Sequence, residues 1–103
     1  MTVARLDLMN LRCPDALLRL RRGVENFLNS SHSSLEVIGI EPSLVRDLPY
    51  ALEHNSWPVI LHSSTQPVPS DLRKQWLSEV DCGEEDIYFD VTEILYFKLT
   101  KHH

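Results

Sequence analysis

Apolar side chains recur along this chain at two spacings, every second residue and every third or fourth, and the changes between them mark out the elements. Leu6 and Leu8 alternate with polar neighbours, which predicts a strand over about Ala4 to Met9. Leu17, Leu20, Val24, Phe27 and Leu28 then fall on one stripe at helical spacing, with Asp15, Arg19, Arg22 and Asn26 opposite, so a helix is expected from Pro14 to about Leu28. Asp15 and Arg19 stand four apart in the order that favours an ion pair. The polar run from Asn29 to Ser34 is a turn, and Leu35 to Ile40 is apolar enough to be a central strand. A strand, helix and strand of this size predict a right-handed βαβ unit with parallel strands.

A second helix is expected over Pro42 to His54, with Leu44, Val45, Leu48, Ala51 and Leu52 as its apolar stripe. Pro49 lies inside that pattern and predicts a kink or a restart. Asn55-Ser56 ends the helix, and Pro58-Val59-Ile60-Leu61-His62 is a third strand. Ser63 to Gly83 is a long polar excursion, opening as a loop through Pro69. Ser70 is placed to cap a short helix over Asp71 to Val80, with Leu72, Trp76, Leu77 and Val80 on one side. From Ile87 onward the odd positions Ile87, Phe89, Val91, Leu95, Phe97 and Leu99 are apolar and only Glu93 breaks the series. That run exceeds a typical strand of about 5–6 residues, so a bend or bulge is expected near Thr92-Glu93.

At 103 residues the chain reads as a single domain, 1–103, with an insertion at about 63–83 and no internal repeat. No apolar run reaches membrane-spanning length, and Met1 to Arg12 lacks the apolar core of a signal peptide. Two cysteines do not make a disulfide framework, so reduced thiols and a cytoplasmic location are expected. The net charge of −5 is unevenly placed. Arg5, Arg12, Arg19, Arg21 and Arg22 crowd the first quarter, whereas residues 79–101 hold seven acids against Lys98 and Lys101. That acidic end argues against direct nucleic-acid binding, while the basic helix is suited to an acidic partner.

The candidate chemistry sits at the first strand–helix junction. Pro14 suits the first helical position, where a missing N–H costs nothing and φ is already helical. Cys13 then takes the cap position, with the helix dipole and free backbone N–H groups of the first turn close to its sulfur, an arrangement that favours a nucleophilic thiolate. Asp15 repels such an anion mildly, but it is also an ordinary acidic residue of a first helical turn. Arg12 and Arg19 lie near enough in sequence to support an anion.

The order βαβαββ, with Leu6-Asp7 and Leu11-Arg12-Cys13-Pro14 at the first junction, resembles the TusA/SirA-like sulfur-carrier family. A second block, Ile40-Glu41-Pro42-Ser43-Leu44-Val45-Arg46-Asp47-Leu48-Pro49, is similar to the family's acidic-Pro start of helix 2 and its Arg-Asp-apolar-Pro segment. The resemblance covers residues 4 to about 62. It implies an α/β two-layer sandwich, of α+β type, with a four-stranded mixed sheet and two helices on one face. It also implies a carrier that takes sulfane sulfur as a persulfide on Cys13 and relays it to a partner thiol, without a bound cofactor. The implied partners are a sulfur donor, either a cysteine desulfurase or a rhodanese-like protein, and a sulfur acceptor, with no membrane involved. Arg12, Pro14, Asp15 and Ala16 would shape the site, and Arg19, Arg46 and Asp47 are candidate partner or acceptor contacts.

Three features depart from the family pattern. Ala16 stands where a second proline is usual, and its N–H is a possible extra donor to the thiolate. Asn10 replaces a common glycine, and asparagine tolerates the positive φ that such a turn can need. The Ser63–Gly83 excursion is longer than the usual connection, and is read as a cover for the sheet edge in preference to a docking element. The departures keep a second hypothesis open, an inactive binding or regulatory module on the same fold. A third, a redox pair of Cys13 and Cys82, requires the two Cα atoms within about 7 Å. An incidental role is favoured for Cys82, whose neighbours are acidic, and Trp57 and Trp76 are read as packing or lid residues in preference to a base-stacking platform. His32, His54 and His62 lack ligand spacing, so no metal site is expected.

Overall fold

The computed structural model of the chain describes residues 2–79 and 91–102, without the side chains of 76–79. The elements follow as β1 (Val3–Leu8), α1 (Asp15–Leu28), β2 (Ser34–Gly39), α2 (Leu44–His54), β3 (Val59–Pro67), α3 (Ser70–Glu79) and β4 (Glu93–Lys101). One four-stranded sheet has the order β1-β2-β4-β3, with β1 and β2 parallel and β4 antiparallel to both neighbours. This is the mixed α/β sandwich expected, with α1 and α2 on one face.

The pleat explains the core. In register, Leu6, Val37 and Phe97 form one row across three strands, and Ala4, Leu35, Leu99 and Leu61 another. These rows face Ala16, Leu20, Val24 and Phe27 of α1 and Leu44, Leu48 and Ala51 of α2. Trp57 and Val59 close the same cluster, which places Trp57 in packing. The sheet's other face carries Arg5, Asp7, Glu36, Ile38, His62, Ser64, Tyr96 and Lys98 around an open groove of about 550 Å³. Arg5, Glu36 and Lys98 stand opposite one another across adjacent strands with alternating sign, and Arg5 reaches Glu36 at 3.6 Å, as suits a solvated face. One end of this face is covered: Leu72 of α3 and Val68 pack with Met9 against buried Ile40 and Val91. The excursion thus shields the end of the open face.

Several expectations are corrected. Ser63 to Pro67 is not a loop but the second half of β3, paired with β4 from Ser63↔Phe97 to Pro67↔Glu93. Its side chains are exposed on both faces, so no apolar alternation betrays it, and the strand exists because β4 offers a ladder. Pro67 is tolerated at the strand's end, where no further ladder bond is needed. The second helix runs unbroken through Pro49. The carbonyl that Pro49 cannot satisfy belongs to Val45, a residue on the exposed side of the helix. Val45 accordingly lies outside the buried stripe. Asn10 needs no positive φ: its turn closes by Leu11 N–H donating to the Leu8 carbonyl, and among the described non-glycine residues the positive φ belongs to Ser56, at 51°, just past α2. Ser70 is the first residue of α3 instead of its cap. Of the last strand's apolar series, Leu95, Phe97 and Leu99 are buried as expected, whereas Ile87 and Phe89 lie outside the described residues.

Candidate functional site

The loop from Met9 to Pro14 leaves the carboxyl end of β1 and turns into α1, beside the parallel carboxyl end of β2. Met9 N–H donates to Asp7 Oδ1 at 2.8 Å, and Leu11 N–H to Leu8 at 3.1 Å, so the chain reverses immediately after the strand. Cys13 follows as an exposed free thiol. Its peptide bond to Pro14 is cis, and Pro14, not Cys13, is the cap of α1. The cysteine therefore stands one residue further from the helix than its sequence position predicts.

The first-turn donors are distributed differently too. Ala16 N–H donates to the Arg12 carbonyl at 2.8 Å, and its side chain is fully buried in the core. The extra donor that alanine offers in place of proline is thus spent on the backbone, not on the sulfur. The N–H of Cys13 itself donates to Glu41 Oε1 at 3.2 Å.

Glu41 organises this corner of the molecule. It is 8% exposed, two residues past the end of β2, and Gly39 at that end lets Leu44 at the start of α2 approach the strand closely. Its Oε1 accepts from Arg12 Nε at 2.9 Å as well as from Cys13 N–H, and its Oε2 accepts from Ser43 N–H at 2.9 Å. One carboxylate thereby serves the approach to α1 and the first turn of α2, and the positive ends of both helix dipoles favour a negative charge there. Burial alone would raise its pKa; the hydrogen bonds from Ser43, Arg12 and Cys13 outweigh that and hold it at about 2.

The other candidate residues separate. Arg12 is largely buried against Glu41, so its charge is engaged there and not free beside the sulfur. Asp15 and Arg19 are both exposed and form no ion pair among the described residues; with Leu11, Leu18 and Arg22 they line a shallow groove of about 270 Å³. Arg46 pairs with its neighbour Asp47 at 3.0 Å on the outer side of α2. Leu18, Val45 and Tyr50 are large apolar side chains exposed on the outer faces of the two helices. Cys82 lies outside the described residues, as does its distance to Cys13. His32 Nδ1 meets Thr2 Oγ1 at 2.8 Å and His54 stacks on Tyr50, and among the described residues no three His, Cys, Asp or Glu converge. No helix among them is long and apolar enough to cross a membrane.

Glu41 is the residue that sequence reasoning missed. Its signal was present: an acidic residue directly behind an apolar strand, one place before a proline and a helix start. What it binds is 28 and 29 residues away in sequence, which no local spacing discloses. Comparison with known proteins adds no relative: no protein-family model matches the chain, and no curated protein and no solved structure matches it.

Proposed function

We propose that this protein is a sulfur carrier of the TusA/SirA-like kind, with Cys13 as the atom that is loaded and unloaded. The observation that carries the reading is the exposed free thiol at the carboxyl ends of the parallel strands, immediately ahead of α1. An inactive binding module has no need of an accessible sulfur at this place. Loading is an exchange between sulfurs: the Cys13 thiolate attacks the outer sulfur of a donor persulfide, the donor's S–S bond breaks, and the donor leaves as a thiolate. Cys13 then holds a persulfide, and an acceptor thiolate takes the outer sulfur by the same step. Each transfer conserves sulfur and electrons, so no cofactor is required. Donor and acceptor dock in turn on the thiol, with exposed Leu18, Arg19 and Arg22 of α1 and Val45, Arg46 and Asp47 of α2 as the candidate contacts.

The test is intact mass of the reduced protein after incubation with a cysteine desulfurase and cysteine, alongside Cys13→Ser and Cys82→Ser. Gain of one sulfur atom, lost in Cys13→Ser and kept in Cys82→Ser, is expected. A wild-type protein that gains no sulfur from desulfurase or rhodanese-type donors refutes the carrier and leaves a binding module.

A further inference from the structure

We infer that Glu41 is a positioning residue for Cys13, fixing the backbone that carries the sulfur against the start of α2 so that an incoming donor meets it in one orientation. The inference rests on the carrier reading above for its catalytic consequence, but its structural content stands separately. Cys13 is exposed and its side chain is not packed in the core, so the placement of its sulfur depends on the peptide behind it. That peptide's N–H is held by Glu41 Oε1 at 3.2 Å, and the residue before it is held through Arg12 Nε at 2.9 Å on the same oxygen. The other oxygen is anchored on Ser43 N–H at 2.9 Å. Glu41 itself is buried at the end of β2, so the clasp is tied to the sheet and not to a mobile surface group.

The consequence differs with the size of the reagent. A small electrophile approaches an exposed thiol from many directions and has little use for a fixed loop. A persulfide presented by a docked protein comes along one line, and misplacement of the attacking atom by about 1 Å can cost on the order of 100-fold. Glu41 should therefore act on turnover within the docked complex and not on docking.

The experiment uses the full chain, with Glu41→Gln and Glu41→Ala. Glutamine keeps an oxygen that accepts from Arg12 and Cys13 but turns a donor towards Ser43, so it should rescue partly. Three quantities are read: persulfide loading from a desulfurase as kcat and KM, the alkylation rate of Cys13 by iodoacetamide, and hydrogen exchange of the Cys13, Ser43, Leu20 and Val24 amides. For Glu41→Ala we expect kcat to fall about tenfold or more with KM within twofold, Glu41→Gln to lie between, and alkylation to stay within about threefold. Exchange should quicken at Cys13 and Ser43 and not at Leu20 and Val24. Loading at the wild-type kcat in Glu41→Ala overturns the inference, as does alkylation that falls in step with loading. Should the wild-type protein take up no sulfur at all, the carrier reading fails, and the amide exchange decides the clasp: unchanged protection at Cys13 in both variants removes it. If Glu41→Ala does not fold, Glu41→Gln supplies the same comparisons.

Discussion

Arg12 and Arg46 each meet a carboxylate through Nε, at 2.9 and 3.0 Å, yet the two pairs differ in what surrounds them. The Arg12 side chain is 23% exposed and its partner 10%, whereas Arg46 is 81% exposed and reaches an Asp47 that is 21% exposed. In water the Arg46 pair gains little from attraction and loses side-chain entropy, so Arg46→Ala should change stability by less than about 0.5 kcal/mol. Arg12→Ala leaves a buried carboxylate without its cation and should cost about 1–3 kcal/mol. Urea unfolding of the two variants at neutral pH measures the contrast, and equal effects would show that the Glu41 corner is solvated like the surface. At this scale the sequence singled out Cys13 as a candidate by its neighbour Pro14, because a cysteine–proline pair near a helix start is a local pattern. It did not identify Glu41, because the meaning of that residue lies in donors brought from another loop.

At the scale of elements, α1 was legible almost residue by residue. Leu20, Val24 and Phe27 repeat at a spacing that only a helix turns to one side, and all are buried. Ala16 joins them, and Leu18 stands 60% exposed between them. β3 was half legible. Val59 and Leu61 lie over the helices and show the alternation, while His62 to Gln66 are polar and exposed on both faces. Their strand form is set by pairing with β4, and this supplies a test. In an edge strand alternate N–H groups point to the neighbour and to solvent, so amide exchange through Ser63 to Gln66 should alternate, with protected positions slower by about tenfold or more. Uniformly fast exchange across the four residues would return the segment to a loop.

For the whole molecule, the unequal faces of the sheet matter most. One is covered by two helices and provides the hydrophobic core, and the other is a charged groove that, among the described residues, is shielded at the end where Leu72 meets Ile40 and Val91. Cys13 lies exposed where β1 gives way to the helical layer, outside the hydrophobic core. Stability of the whole should also depend on acid through Glu41. Its folded pKa of about 2 lies below the ordinary 4.5, so its contribution is fully present above about pH 4.5 and is lost as pH falls towards and through 2. The gap corresponds to about 2–3 kcal/mol for this mostly buried group. Urea titrations between pH 6 and 2.5 should show wild-type stability falling by that much more than Glu41→Gln over the same range. Parallel curves would show that the carboxylate is not held as the hydrogen bonds imply.

The sequence by itself determined the alternation of strands and helices, the apolar stripes that become the core, and the place of Cys13 just ahead of a helix. Each of these depends on side chains within a few residues of one another, so periodicity and local stereochemistry suffice to read them. The tertiary structure alone decided the strand order β1-β2-β4-β3, the extension of β3 to Pro67, and the convergence of Arg12, Cys13 and Ser43 on Glu41. It also decided that Ala16 N–H is turned to the backbone and not to the sulfur. These are pairings between distant segments. Their free energy comes from satisfying polar groups that folding removes from water, and the partner of such a group is settled only when the sheet has brought the two loops together.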